Sequence, residues 1–255
     1  NVGLIELTDW QVAWRVWGMA LLVFFVPVAW IWVRNSPEEV GMLPDQTSSS
    51  RSTVPTLGDI AEENWTLKEA MRTRAFWLIL LCVAIPALVN TGLTFHLTSI
   101  LGEQGLGVAV AASVLSIMAF VGFPITFVAG FMVDRYPIHW VLAAVFILEI
   151  IFLFLILNIQ SVVGAIIFAV CWGAANGLEQ IVVNAIWPNY FGRRYLGSIR
   201  GIAMMLMVLG SSLGPLPYGV AFDWFGSYSE IVMLTIICPI IGIVAALCSP
   251  APKKG

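Results

Sequence analysis

The chain has 255 residues, of which 60% are hydrophobic and 11% charged, with a formal net charge of −3. A mean hydropathy of +0.93 excludes an ordinary soluble domain, and the absence of a basic cluster interleaved with aromatics gives no reason to expect a nucleic-acid partner. The four cysteines form no CxxC pair and the two histidines are expected on opposite faces of a membrane, so no metal site and no cofactor are expected.

Seven apolar stretches follow one another: Val12–Val33, Ala75–Leu101, Val108–Val133, Ile138–Leu157, Val162–Pro188, Gly197–Phe222 and Ser229–Cys248. Each reaches the roughly 20 residues a helix needs to cross about 30 Å of hydrocarbon. The expected fold is therefore all-α, a polytopic bundle of seven transmembrane helices with the lipid bilayer as its first partner. Threading the chain back and forth places Arg34, Arg51, Lys68, Arg72, Arg74, Arg135, Arg193, Arg194, Arg200, Lys253 and Lys254 on one side. Arg15 falls on the other, beside Glu6, Asp9, Glu103, Asp223 and Glu230. Basic residues are retained on the cytoplasmic face, which predicts an outside amino terminus and a cytoplasmic carboxyl terminus in a multi-pass protein of the cell (plasma or inner) membrane.

Residues 1–33 hold the first span, and within a cytoplasmic central linker (34–74) residues 34–66 are the one long hydrophilic stretch, with Pro37, Pro44, Pro55 and the run Ser48-Ser49-Ser50-Arg51-Ser52-Thr53. That composition reads as a flexible linker. It ends in Thr66-Leu67-Lys68-Glu69, the pattern of a capping box, which predicts a short surface helix running on through Arg72 and Arg74. Residues 75–249 carry six spans in two sets of three, and residues 250–255 form a tail. Because three is odd, the second set enters from the opposite side to the first, which permits an inverted repeat of the kind found in secondary transporters.

Polar residues inside spans are costly and so become candidates for a solute or proton pathway. In the second span Asn90 and Thr94 share a face with Pro86, which is expected to kink or break the helix, and His96 lies near the outer end. Glu149 sits mid-span in the fourth stretch, where a structural hydrogen bond is expected. In the fifth, Asn176, Gln180 and Asn184 recur at helical spacing beside Glu179, a carboxyl that could load and release a proton or simply bond to a neighbouring helix. Gly201, Gly210, Gly214 and Gly219 in the sixth suit close helix packing. No nucleophile–base pair or phosphate-binding loop is present, so an enzyme is not expected.

The connection Gly130-Phe131-Met132-Val133-Asp134-Arg135 resembles the signature loop of the major facilitator superfamily, with Gly130 allowing close helix approach and Asp134 and Arg135 meeting a helix terminus or an opposite charge. Trp10-Gln11-Val12-Ala13-Trp14-Arg15 and Pro37-Glu38-Glu39-Val40-Gly41-Met42-Leu43-Pro44-Asp45 resemble the flanks of that superfamily's sixth helix and its central loop. The segment from Tyr190 to Gly201 resembles its loop between helices ten and eleven, and Leu213-Gly214-Pro215, Gly219, Asp223 and Gly226-Ser227-Tyr228 resemble the end of helix eleven. The set is similar to the branch containing the oxalate/formate antiporter and monocarboxylate transporter-like proteins.

The resemblance implies the sixth helix (1–33), central linker (34–74) and carboxyl-terminal six-helix domain (75–249) of a twelve-helix secondary transporter, with the amino-terminal half missing as a partner. A chain that does not begin with Met fits that expectation. The implied function is alternating-access transport of a small organic solute, a monocarboxylate or other organic anion, by proton coupling or antiport. None of the last six spans carries a Lys or Arg near mid-membrane, so carboxylate recognition is expected from the missing half, from helix termini or not at all, and the acidic stripe leans instead towards proton coupling or a neutral or cationic solute. Two other classes stay open: a seven-helix receptor, which would not explain the Gly-x-x-x-Asp-Arg loop, and a non-transporting membrane scaffold made of half a transporter.

Overall fold

The computed structural model describes residues 10–33 and 64–252. The amino-terminal flank, the central linker with its Pro37–Asp45 motif, and the last three residues lie outside the described residues. The chain divides into two compact units, Asn1–Asp59 and Ile60–Gly255. All elements among the described residues are helical, and seven helical stretches are long and apolar enough to cross a membrane, in agreement with the seven-span reading.

The first unit holds α1 (Trp10–Ala20), a π-helical turn (Leu21–Phe25) and α2 (Val26–Trp32), which continue one another. Pro27 supplies no N–H to the carbonyl one turn earlier, and its ring crowds that carbonyl; the wider turn just before it accommodates both effects. Its described side chains are exposed, with Ala20 and Ala29 half-buried.

The second unit begins with the capping box the sequence predicts. Thr66 Oγ1 accepts from the Glu69 N–H at 3.4 Å while the Thr66 N–H donates to Glu69 Oε2 at 2.7 Å. The helix it opens, α3 (Leu67–Ala70), is only one turn long. It does not run on through Arg72: the Thr73 hydroxyl accepts from the Phe76 N–H at 3.2 Å and starts a new helix, α4 (Arg74–Glu103). Two adjacent caps divide what the sequence reads as one surface helix.

Five further spans follow, in seven helices. They are α5 (Val108–Arg135), α6 (Ile138–Leu157), α7 (Val162–Phe191), α8 (Leu196–Leu213) with α9 (Pro215–Phe225), and α10 (Ser229–Thr235) with α11 (Ile237–Leu247). The expected break in the second span is absent, since α4 is continuous through the buried Pro86. The break falls instead in the sixth span at Gly214–Pro215, where proline opens α9 as a first-turn residue. At the other end of α9, Gly226 adopts φ +67, the left-handed conformation that only glycine takes without strain, and its N–H closes on Phe222 O at 2.8 Å.

Glycine brings two pairs of helices into backbone contact. A Cβ at Gly173 would lie 2.6 Å from Met118 O, and one at Gly177 would lie 2.5 Å from Gly122 O, so α7 rests directly on α5. A Cβ at Gly210 would lie 2.8 Å from Ala84 O, and Gly214 abuts Leu88 O in the same way, so α8 rests on α4. Small residues are the usual device where lipid removes the hydrophobic drive for helix association. Of the four glycines expected to pack in the sixth span, Gly210 and Gly214 do; Gly201 and Gly219 face open space. Behind these pairs, α6 packs on α7 and α11, and α11 on α4.

Hydrogen bonds define two ends of the bundle. At one, the Trp65 N–H donates to Phe191 O, the Arg194 N–H to Asn64 Oδ1 and Tyr190 OH to Ser249 O, joining the segment before α3, the end of α7 and the residues just after α11. Arg74, Arg135, Arg193 and Arg194 cluster by connectivity at this basic end. At the other, Gln104 Nε2 donates to Ile156 O at 2.8 Å and the Tyr228 N–H to Glu103 Oε2 at 3.3 Å, close to Asp223 and Glu230.

Candidate functional site

An open cavity of about 620 Å³ lies among α5, α7 and α8, with Val83 of α4 at its back. Its polar wall is the stripe of α7: Asn176, Glu179, Gln180 and Asn184 all line it. The spacings i, i+3, i+4 and i+8 put these four side chains on one helical face, and the stripe survives because Gly173 and Gly177, on the neighbouring face, carry the packing against α5. Met118, Gly122 and Thr126 of α5 and Arg200, Met204 and Met207 of α8 form the facing walls.

The polar groups are tied into the surrounding helices. Glu179 Oε2 accepts from Asn90 Nδ2 at 3.2 Å, and Asn90 Oδ1 in turn accepts from the Trp172 indole N–H at 2.6 Å. Asn90 therefore has a fixed amide orientation, with its donor side towards the carboxyl. Asn176 Nδ2 donates to Trp172 O at 2.9 Å. Towards the basic end, Asn184 Nδ2 donates to Gln180 O at 2.6 Å and its Oδ1 accepts from the Arg200 guanidinium. Glu179 and Asn184 are five residues apart, about 7.5 Å along the helix axis. The cavity thus offers a carboxyl at its inner end and a guanidinium nearer its basic end, with amides between.

Not every sequence candidate joins this site. Asn90 reaches it only through the bond to Glu179. Thr94 is exposed, and its hydroxyl bonds back to Asn90 O at 2.7 Å, the common fate of a mid-helix threonine. His96 lies away from the cavity, among α4, α9 and α10. Its Nε2 is 3.1 Å from Pro215 O; a carbonyl can only accept, so Nε2 carries the hydrogen. Nδ1 lies 3.2 Å from Tyr228 OH, and the ring stacks on Tyr218 with 5.7 Å between centroids. Glu149 does not line the cavity either, and the hydrogen bond expected of it is missing: it is 2% exposed and neither carboxyl oxygen has a partner among the described residues.

The signature loop ends α5 as expected, but the expected contacts are not there. A side chain at Gly130 would meet nothing within 4 Å, so this glycine mediates no close approach. Asp134 and Arg135 are exposed and take part in none of the hydrogen bonds found among the described residues.

Arg200 is the residue sequence reasoning missed. Its place in the charge pattern predicts a basic residue at the membrane edge, yet it enters the cavity from the second turn of α8 and pairs with Asn184. A long side chain on the first turns of a span can lie along apolar surface and place its charge on any polar neighbour at the same depth. Asn184, two turns from the end of α7, is that neighbour, and the matching depths of the two residues were the available signal.

Residues 2–215 match the family model described as Major Facilitator Superfamily. No curated protein matches the chain. The match covers most of the chain, from before α1 to the first residue of α9, and the all-helical bundle with seven apolar spans agrees with it. The chain belongs to the Major Facilitator Superfamily, a family of membrane transporters.

Proposed function

We propose that this chain forms the carboxyl-terminal side of a secondary active transporter for a small organic solute bearing a carboxylate. The observation that carries this reading is the presence of Arg200 and Glu179 in one cavity, on the same polar face. A guanidinium and the amides of Asn184 and Gln180 can hold a carboxylate through charge-assisted hydrogen bonds. Glu179, about one and a half turns deeper, takes the coupling proton, or the cationic end of a solute that carries one. The resemblance to the oxalate/formate and monocarboxylate branch supports the same class of solute.

The chemistry needed is reversible binding, and the movement is alternating access. The open side of the cavity is closed by a second bundle, the amino-terminal half of the transporter, and rocking of the two bundles exposes the solute to each side in turn. The basic end, with Arg74, Arg135, Arg193 and Arg194, faces the cytoplasm of a cell membrane.

The test is uptake by the full-length transporter in liposomes with an imposed proton gradient and a panel of small acids, sugars and amines. Saturable uptake of an acid is expected, with Arg200→Gln weakening it by about tenfold or more in KM and Glu179→Gln abolishing its dependence on the gradient. Selective uptake of a sugar, or of an amine whose KM ignores Arg200, overturns the solute class. A full-length protein that moves nothing on the panel, yet is needed for a partner to accumulate in the membrane, makes it a scaffold.

A further inference from the structure

The cavity wall opposite the polar stripe has a different character. Arg200, Met204 and Met207 of α8 all line it, and their spacing of i, i+4 and i+7 places them on one helical face. Because α8 starts at the basic end, Met204 lies about 6 Å and Met207 about 10.5 Å further in than Arg200. Met118 and Phe123 of α5 and Val83 of α4 continue this surface. Thr126 of α5 adds little polarity, since its hydroxyl hydrogen is spent on Phe123 O at 2.6 Å.

The polar stripe is largely committed to the protein itself. Asn176 Nδ2 donates to Trp172 O at 2.9 Å and lies 3.7 Å from Met118 Sδ. Asn184 uses its amide donor on Gln180 O and its oxygen on Arg200, and Glu179 accepts from Asn90. Arg200 carries five N–H donors, and the bond to Asn184 takes one of them. Among the described lining residues it is also the one cation.

The cavity therefore compensates one anionic group, at its basic end, and beyond that point presents an open apolar wall. Met204 is 57% exposed and Phe123 71%. A second carboxylate on the solute would lie beside Glu179 or the thioethers with no counter-charge, and a chain of hydroxyls would exchange water for methionine. An alkyl or aromatic body would instead cover that wall and leave water. Methionine suits such a body, because its unbranched, polarizable side chain adapts to different shapes and makes favourable contacts with aromatic rings.

The geometry points to an amphipathic monocarboxylic acid as the solute, an inference that rests on the carboxylate reading above and narrows it. The single carboxylate meets Arg200, and an unsubstituted alkyl or aryl body lies inward along Met204, Met207 and Met118. These three methionines set the specificity, by favouring apolar bodies and refusing diacids and polyhydroxy acids of the same length.

The test is calorimetric binding to the full-length transporter in lipid nanodiscs, with empty nanodiscs as the blank, so that leakage of acids through a bilayer plays no part. Hexanoate, adipate and gluconate share one chain length and differ by a second carboxylate or by hydroxyls; phenylacetate supplies a ring. Hexanoate and phenylacetate are expected to bind about tenfold or more tighter than adipate and gluconate, with the negative heat-capacity change of buried apolar surface. Met204→Gln combined with Met207→Gln keeps side-chain length and is expected to remove most of that preference. Met204→Leu combined with Met207→Leu keeps the wall apolar and must keep the ranking; a misfolded fraction lowers the number of sites but not the ratio of affinities. If no acid binds, or Arg200→Gln weakens none of them, the carboxylate reading fails and this inference with it. If Arg200→Gln weakens acid binding while adipate or gluconate equals hexanoate, or the glutamine variant preserves the preference, this inference alone is overturned.

Discussion

Glu179 and Glu149 are the same residue type on adjacent helices, both deep in their spans, and the bundle treats them in opposite ways. Glu179 lines a cavity, and its carboxyl accepts from an asparagine that is itself held by a tryptophan. Glu149 is buried, and neither of its oxygens has a hydrogen-bond partner among the described residues. The difference comes from the neighbours. On α7 the polar stripe faces α5 and α8 across a gap, whereas α6 is apolar beyond His139 in its first turn, and its mid-span Glu149 is enclosed by helices that include α7 and α11. A polar residue inside a membrane bundle thus takes its role from the helices that face it, more than from its own chemistry.

The sharpest way to break the comparison is a charge that cannot be neutralised cheaply. Glu149→Lys is expected to cost about 3 kcal/mol of insertion or folding free energy and Glu179→Lys less than about 1, because the second ammonium reaches the open cavity. Equal losses of folded protein, measured by accumulation in the membrane and resistance to thermal unfolding, would erase the distinction. A smaller effect is expected at the residue that holds Glu179. Asn90→Ala leaves the Trp172 N–H and the carboxyl without partners and is expected to cost about 1–2 kcal/mol; denaturation in mild detergent would measure it, and a neutral result would mean that both groups find water. The smallest effect is expected for Glu149→Met, which removes an unpaired acid and keeps the volume. It should change stability by no more than about 1 kcal/mol, in either direction. A clear loss would reveal a hydrogen bond at Glu149.

Much of this architecture could be read from the sequence because the controlling signals are local. Long apolar runs mark the spans, the Thr66–Glu69 spacing marks the capping box, and the spacing of Asn176, Glu179, Gln180 and Asn184 places them on one face. What could not be read depends on partners distant in the chain. Pro86 is accommodated within α4 without a break, while Pro215 begins a new helix because Gly214 precedes it at the contact with Leu88. His96 looked like an interfacial residue, but its position is set by Pro215, Tyr218 and Tyr228, more than a hundred residues away. Arg200 looked like a membrane-edge charge until Asn184 gave it a partner inside the cavity. The surface helix was misjudged for a local reason: two hydroxyl caps, at Thr66 and Thr73, each begin a helix where helical propensity alone would allow one.

The glycine contacts have a mechanical consequence. With backbone against backbone, α5 and α7 form one stiff plate and α4 and α8 another, while α7 and α8 touch only sparingly across the cavity. The plates are joined at the back through α6 and α11, as jaws are joined at a hinge. A change in the width of the cavity is therefore taken up by the seam between the jaws, which Arg200 spans to Asn184 near the basic end and Asn90 spans to Glu179 and Trp172 deeper in.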